Sequence, residues 1–151
     1  MTKYDDQEAL LSGVLDEDGH RLTLRVYFED TDFSGVVYHA RYLHFLERGR
    51  TDFLRLKGVH HRALGEGAFG KPLYFVVKSM SVDFAGAAVI DDILTIKTRL
   101  TGKTGVRLIM EQTVMRDDET LITAEVTALL IDSEKRPARL PEAIAQALFS
   151  R

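Results

Sequence analysis

One long helical pattern lies between segments whose apolar residues alternate, and this arrangement limits the fold more than any other feature of the 151-residue chain. The residues of the helical pattern recur at steps of three and four and form a single face: Tyr42, Leu46, Gly49, Phe53 and Leu56. That face is widened by Leu43, Phe45 and Leu54. We therefore predict one long helix with a wide buried side, ending near Lys57, with Gly58 as its C-terminal stop.

Strand patterns stand on both sides of the predicted helix. Residues 21–30 alternate between apolar and polar side chains, as in a half-buried strand. The same period of two returns after Pro72 in four segments: 74–84, 93–100, 106–114 and 121–131. Short turn clusters separate the last three segments, so we predict that these strands form sequential antiparallel hairpins. Five strands and one long helix predict an α+β layer in which an antiparallel sheet covers one face of the helix.

Three other segments are less regular. Residues 60–70 are punctuated by Gly, which predicts an irregular connection or one small helix, and residues 141–149 predict a short closing helix. Residues 1–20 are acidic and carry no strong pattern, so we interpret them as an N-terminal arm. A single domain then spans residues 21–151, which agrees with the ordinary size of one domain.

Composition excludes several classes of protein. The 20 basic and 23 acidic residues give a net charge of −3, which offers no general attraction to nucleic acid or to an anionic membrane. The absence of Cys removes disulfides, thiolate metal sites and cysteine nucleophiles. The chain shows neither a signal-peptide pattern nor the roughly 18 apolar residues of a membrane span. We expect a cytoplasmic protein with no transmembrane segment and no nucleic-acid partner.

Two phosphate-binding motifs are matched in letters only. Residues 65–70 satisfy the dinucleotide-binding fingerprint, and residues 65–71 satisfy a P-loop up to its lysine. This stretch follows a helix and leads through Pro72 into a strand, whereas both motifs must follow a strand and open a helix. His39 and His44 are five residues apart, which places them on different faces of a helix and argues against a metal site. We therefore predict neither a phosphate loop nor a metal centre.

The segment between the first strand and the helix concentrates the polar chemistry. It carries Asp30 and Asp32, with Gly35 three residues further on. Asp32 could simply cap the helix, since Asp is a favoured N-cap residue worth about 1 kcal/mol. A second acidic residue and the apolar stretch 33–38 exceed what one cap requires. On the residues alone, a capping role and a functional role both stay open.

The same segment carries a family resemblance. It reads Arg25-Val-Tyr-Phe-Glu-Asp-Thr-Asp32-Phe-Ser-Gly-Val-Val-Tyr-His39-Ala-Arg-Tyr, and the match continues to Leu54. It resembles the opening of the hotdog-fold acyl-CoA thioesterases of the YbgC and 4-hydroxybenzoyl-CoA thioesterase family. It is most similar to the branch associated with the Tol-Pal system of Gram-negative bacteria. The strand pattern of residues 73–131 agrees with that fold but is less distinctive.

The resemblance implies a hotdog fold, in which an antiparallel sheet wraps one long helix and two chains pair with active sites between the subunits. It implies that Asp32 is the catalytic carboxylate and that His39 belongs to the site. The family branch often has Gly where this chain has Ser34, a difference that we expect to matter little. The implied activity is hydrolysis of an acyl-CoA thioester to the free acid and CoA.

Glu47 is a second carboxylate to consider. It lies eight residues beyond His39, about 80° around the helix. Some hotdog thioesterases use a helix Glu, so Glu47 is a candidate for the site. The alternative is a structural ion pair with Arg50 or Arg25.

Thioester hydrolysis needs few catalytic groups. A thiolate leaving group has a pKa near 8.5, by analogy with cysteine, so it departs with little help from a general acid. Asp32 could activate water as a general base or attack directly as a nucleophile through a mixed anhydride. Backbone N–H groups of Tyr38 and His39, near the start of the helix, could stabilise the oxyanion. We expect no cofactor, because CoA is part of the substrate.

Two other functions use the same fold. One is a non-catalytic hotdog module that binds acyl thioesters or acts as a scaffold with the cell-envelope machinery. The other is a dehydratase or isomerase of acyl thioesters, against which the position of Asp32 before the helix argues. We favour the thioesterase, acting on acyl-CoA or on an acyl carrier protein, as a homodimer or homotetramer.

Overall fold

A seven-stranded antiparallel sheet packs against one long helix in the computed structural model, which describes residues 10–150. The strands are β1 (Val14–Asp16), β2 (Gly19–Arg25), β3 (Tyr74–Phe84), β4 (Ile93–Thr104), β5 (Arg107–Arg116), β6 (Glu119–Ile131) and β7 (Pro137–Ala138). The helices are α1 (Arg41–Leu56), α2 (His61–Gly65) and α3 (Glu142–Phe149), with a 3-10 turn at Phe28–Asp30. The predicted α+β architecture is confirmed.

The strands run in the order β1-β2-β4-β5-β6-β3, with β7 beside β6. The predicted hairpins are present, since β4 pairs with β5 and β5 pairs with β6 in antiparallel register. β3 pairs with the far side of β6, and a bulge lies between Val77 and Ser79. Within the described residues β3 is therefore an edge of the sheet, and its outer backbone groups have no neighbouring strand.

The sequence predicted five strands, and β1 and β7 were missed because three and two residues are too short to show a period. β1 and the first residues of β2 lie within the segment that the sequence assigned to an N-terminal arm, and residues 1–9 lie outside the described part of the chain. The first predicted strand was also too long. It ends at Arg25 because Asp30 turns the chain, accepting a hydrogen bond from the Tyr27 N–H at 2.8 Å.

The start of the long helix differs from the prediction as well. The sequence placed Tyr38 and His39 near the start of the helix, but α1 begins at Arg41. Residues 36–38 instead bond to residues outside the helix, because the Val37 N–H donates to the Ala88 carbonyl oxygen, the Tyr38 N–H donates to the Asp30 carbonyl oxygen, and Thr31 forms an isolated bridge with Val37. The predicted C-terminal stop is confirmed, since Gly58 has a φ of +86°.

Most of the predicted face of α1 is buried, namely Tyr42, Phe45, Leu46, Gly49, Phe53 and Leu54, while Leu43 and Leu56 are half-buried. A buried polar group, Gln112 on β5, joins the helix to the sheet by donating to the Leu46 carbonyl oxygen and to Thr98 Oγ1, both at 2.8 Å. A Cβ at Gly49 would stand 2.9 Å from Ile96 Cγ2 and 2.9 Å from Thr98 Oγ1. The helix can approach the sheet this closely only because position 49 has no side chain.

Gly49→Ala is therefore expected to lower the free energy of unfolding. In an exposed helix this change would stabilise by up to about 1 kcal/mol, but overpacking a dense core costs about 1–3 kcal/mol. Urea denaturation should show a lower midpoint for Gly49→Ala, and Arg48→Ala on the exposed side of α1 should change stability by less than about 0.5 kcal/mol. A higher midpoint for Gly49→Ala would contradict the close packing described above.

Candidate active site

The loop between β2 and α1 is held by backbone hydrogen bonds to itself and to the 85–92 loop. The Asp32 N–H donates to the Val36 carbonyl oxygen at 2.9 Å, and the Gly35 N–H donates back to the Asp32 carbonyl oxygen at 3.0 Å. The Ala88 carbonyl oxygen accepts from the Val37 N–H at 2.9 Å. These hydrogen bonds fix the backbone of the loop and therefore the position of Asp32.

Asp30 is a structural carboxylate. It is 6% exposed, and its Oδ1 receives Arg41 Nε at 2.8 Å. Its other oxygen accepts the Tyr27 N–H. Both carboxylate oxygens are therefore engaged in holding the loop to the first turn of α1.

Asp32 differs from Asp30 in its exposure and in its hydrogen-bond partners. It is exposed, and its Oδ1 accepts hydrogen bonds from the Ser34 N–H at 2.8 Å and from Ser34 Oγ at 2.5 Å. Its Oδ2 makes no hydrogen bond within the described residues. The residue at the N-cap of α1 is Ala40, so capping the helix is not the role of Asp32. One oxygen is fixed and the other is free to meet water or substrate.

Ser34 matters more than the sequence suggested. Its hydroxyl first, and its N–H second, lower the pKa of Asp32 below the ordinary value, and nearby His39 contributes in the same direction. The interaction follows the Asp-x-Ser pattern of a local turn, in which the carboxylate accepts hydrogen bonds two residues on. The spacing of Asp32 and Ser34 in the sequence is the signal that could have predicted this contact.

Ser34→Ala is expected to move the acid limb of the pH–rate profile to higher pH. A lowered pKa keeps Asp32 ionised until the pH falls below its ordinary range, so wild-type kcat/KM should stay level down to that range. Removing the hydroxyl raises the pKa of Asp32, and activity should be lost earlier as the pH falls. The profile can be followed by loss of thioester absorbance between about pH 3 and pH 8. An acid limb at the same pH in both proteins would remove Asp32 as the titrating group.

His39 lies beside the end of β3. Its ring centroid is 4.6 Å from that of Tyr38 and 6.2 Å from that of Phe84, which it meets edge-on. Both His39 and Phe84 are exposed. The predicted pair of Asp32 and His39 therefore lies in one exposed region, next to the outer edge of the sheet.

The two predicted backbone donors differ in their availability. The Tyr38 N–H donates to the Asp30 carbonyl oxygen at 2.9 Å and is occupied in this structure. The N–H groups of His39 and Ala40 make no backbone hydrogen bond in the described part of the chain. The positive end of the α1 dipole therefore presents free donors at His39 and Ala40.

Behind these donors, the 85–92 loop is anchored to the helix and to the sheet. The buried Tyr42 hydroxyl accepts the Ala88 N–H at 2.8 Å, and burial raises the pKa of Tyr42. Burial alone would raise the pKa of Asp92, but hydrogen bonds from the Val89 N–H and from Arg116 lower it. These contacts fix the 85–92 loop. The loop between β2 and α1, residues 26–40 and here called the Asp32 loop, rests against it.

Glu47 lies apart from Asp32 in this chain. It is exposed on α1 and interacts electrostatically with Arg50, but it forms no ion pair with Arg50 or Arg25 among the described residues. It lies at a cavity of about 280 Å³ between α1, α2 and strands β3, β5 and β6. Asp32 does not line this cavity, so one chain does not bring the two predicted carboxylates together.

Two further features of the described residues bear on the sequence predictions. No helix among residues 10–150 is long and apolar enough to cross a membrane. No group of three or more His, Cys, Asp or Glu side chains in the same range could hold a metal ion.

Comparison with known proteins decides the family. The model of the thioesterase-like superfamily matches residues 26–148. The chain belongs to this superfamily. Within it, the chain is 39% identical to the acyl-CoA thioesterase YbgC of Haemophilus influenzae, over 87% of this chain and 95% of that protein. It is 40% identical to the acyl-CoA thioester hydrolase YbgC of Shigella flexneri, over 82% of this chain and 91% of that protein.

Solved structures of two thioesterases share the fold. A probable thioesterase from Bartonella henselae has 50% sequence identity and a TM-score of 0.80, covering 82% of this chain and 99% of that one. A thioesterase from Thermus thermophilus, complexed with coenzyme A and Zn, has 29% identity and a TM-score of 0.71, covering 85% and 90%. The predicted hotdog fold and the predicted YbgC-type thioesterase family are confirmed.

Proposed function

We propose that this protein is an acyl-CoA thioester hydrolase in which Asp32 drives the attack on the thioester. The observation that supports this most directly is the state of the Asp32 carboxylate, which is exposed, ionised and held by Ser34 through one oxygen only. The relatives named acyl-CoA thioesterases cover most of the chain. Water adds to the acyl carbon, the carbon–sulfur bond breaks, and CoA leaves as a thiolate that takes up a proton.

Asp32 serves in one of two ways. As a general base it accepts a proton from the attacking water, and as a nucleophile it forms a mixed anhydride that water then hydrolyses. The N–H groups of His39 and Ala40 donate to the oxygen of the thioester carbonyl as it becomes negative. This revises the predicted donor pair, since the Tyr38 N–H is occupied. Water and CoA complete the reaction, so neither a metal nor a separate cofactor has a role in it.

His39 lies on the side of the site that faces the sheet edge. Its ring contacts Phe84, so it can orient the substrate between the Asp32 loop and β3. The coulombic influence of His39 also lowers the pKa of Asp32. Either role makes His39 a member of the site.

We further propose that two copies pair through the free edge of β3. This strand is 11 residues long, and it exposes Tyr74, Val77 and Phe84. An edge of that length with exposed apolar side chains is a template for pairing with another chain. The Asp32 loop adds Phe33, which is fully exposed. A closed antiparallel pair of identical strands would cover this surface and would account for a homodimer, from which a homotetramer could be built.

Pairing of this kind would complete the active site. An antiparallel pair centred on Ser79, the middle residue of β3, sets residues 75–77 beside residues 81–83 of the second copy. The cavity beside Glu47 is lined by residues 75–77. The second copy's Asp32 loop, which lies against its own Phe84, would then stand at the cavity. Each site would combine Asp32 from one copy with Glu47 from the other.

The acyl donor is acyl-CoA, with acyl carrier protein as an alternative carrier, and the protein acts in the cytoplasm.

The experiment that tests the activity is thiol release from a panel of acyl-CoA thioesters by the wild-type protein and by Asp32→Asn. Hydrolysis that depends on Asp32 supports the enzyme. Tight binding of acyl-CoA without turnover would instead indicate the acyl-binding or scaffold module.

A further inference from the structure

The cavity under α1 combines apolar walls with four polar side chains: Glu47, Arg50, Thr51 and His61. Leu54, Leu108 and Met110 form part of its wall, and Arg50 enters it from the helix. Its volume is about 280 Å³. An apolar cavity of about 150 Å³ accepts benzene, so this one holds a ring with a substituent or a chain of comparable bulk.

Arg50 is a half-buried cation that interacts electrostatically with Glu47 but forms no ion pair with it among the described residues. Its guanidinium donates to Gln112 Oε1 at 3.0 Å, and no ion pair with Arg50 occurs among residues 10–150. A guanidinium has five N–H donors, so several remain for a ligand. Burial lowers the pKa of Arg50 and nearby Glu47 acts against this, but the group stays cationic. Holding an unpaired charge in this position costs stability, which a bound oxygen atom would offset.

Besides Arg50, the cavity is lined by one other basic side chain, His61. His61 Nε2 lies 3.2 Å from Thr51 Oγ1, and desolvation of the imidazole lowers the pKa of His61 although the residue as a whole is exposed. The nearby cations Arg55 and Arg50 act in the same direction, while Glu47 opposes them. His61 is therefore neutral at pH 7 and contributes hydrogen bonds rather than charge.

The hydrogen bond of Arg50 to Gln112 places its guanidinium toward β5, two strands in from the edge strand β3. The ring of His61 contacts that of Phe75, at the end of β3 where the second copy's Asp32 loop would stand. Arg50 bonds to Gln112, which follows Met110 along β5 in the direction away from Leu108. A thioester held at the first end would extend its acyl group toward the second.

We infer that Arg50 makes the cavity select acyl groups whose far end carries an oxygen atom that accepts hydrogen bonds, such as a hydroxyl or a carboxylate. The inference rests on the proposed thioesterase function, because it assigns the cavity to the acyl part of that substrate. A methyl-ended chain fills the apolar walls but offers no acceptor to the guanidinium N–H groups that Gln112 does not use. An oxygen atom at the far end of the acyl group accepts hydrogen bonds from those N–H groups. Arg50 is thus a specificity-determining residue and takes no part in the attack on the thioester.

The test compares three CoA thioesters of one chain length: hexanoyl-, ω-hydroxyhexanoyl- and adipoyl-CoA. In the wild-type protein kcat/KM should be about tenfold or more higher for the two oxygen-ended substrates than for hexanoyl-CoA. In Arg50→Leu the preference should vanish or reverse. Arg50→Gln keeps a donor without the charge, so it should lose the adipoyl preference and keep part of the hydroxyl preference.

Arg48→Leu is the matched control, since Arg48 is exposed on the same helix and does not line the cavity. It should keep the wild-type ratios, and thermal unfolding should show that each variant is folded. Equal or lower kcat/KM for the oxygen-ended substrates in the wild type, or an unchanged ratio in Arg50→Leu, overturns the inference while the thioesterase function stands. If none of the three is hydrolysed, and longer or aromatic acyl-CoAs are not either, the proposed function itself fails.

Discussion

Asp32→Asn is expected to lower kcat/KM for acyl-CoA hydrolysis by about 10²- to 10⁴-fold, the range that one positioned acid–base group supplies. The substitution removes the negative charge and the basicity of Asp32 and little else. Asn keeps an Oδ1 that accepts the two hydrogen bonds from Ser34. The residue is exposed, so folding and oligomeric state should not change. Thiol release at saturating and limiting acyl-CoA separates kcat from KM, and most of the loss should appear in kcat.

Asp30→Asn is the matched control, since it makes the same chemical change two residues away. Asp30 is buried and paired with Arg41 Nε at 2.8 Å, so its variant should lose about 1–3 kcal/mol of stability while the folded protein keeps most of its kcat. The two variants thus separate a catalytic carboxylate from a structural one. Near wild-type turnover by Asp32→Asn would end the assignment of Asp32.

A heterodimer of two inactive variants should recover about half of the wild-type activity if the site is shared between copies. Asp32→Asn removes the attacking group, and Thr51→Trp blocks the cavity with a bulky ring at its polar wall. Each homodimer should be nearly inactive. In the heterodimer one site combines both defects, and the other combines an intact Asp32 with an intact cavity.

The heterodimer can be prepared by co-expression with two different tags and successive affinity steps. Sedimentation confirms that it is dimeric, and thiol release measures its activity. Under an active site built within one chain, both sites of the heterodimer carry a defect and no activity returns. That outcome would show that Asp32 and the cavity act within the same copy, and it would contradict pairing through β3 as the source of the site.

The residues by themselves predicted the helix and most of the sheet, because burial on one side imposes a period. The stripe that includes Tyr42 and Phe53 forms the buried face of α1, and Gly58 ends the helix as expected. The hairpins of β4 to β6 follow from turns that are local in sequence. The family was identified from the residues around Asp32, since a long contiguous motif is specific without any three-dimensional information.

The fold decided where the first strand ends and where the long helix begins. The first strand ends at Arg25 and α1 begins at Arg41 because residues 26–40 bond to the 85–92 loop, which lies some 50 residues away in the chain. Periodicity cannot report such a contact. For the same reason the sequence left a capping role open for Asp32, whereas the N-cap of α1 is Ala40.

The sequence alone determined the family motif around Asp32 and the layer architecture that surrounds it, because both depend on local pattern. Only the tertiary structure decided that Asp30 is buried while Asp32 is exposed, that Ser34 holds Asp32, and that β3 is a free edge beside the site. It also decided that Arg50 enters a cavity and bonds to Gln112, 62 residues further along the chain. Burial and long-range contacts depend on how distant segments pack, and no pattern within one segment contains that information.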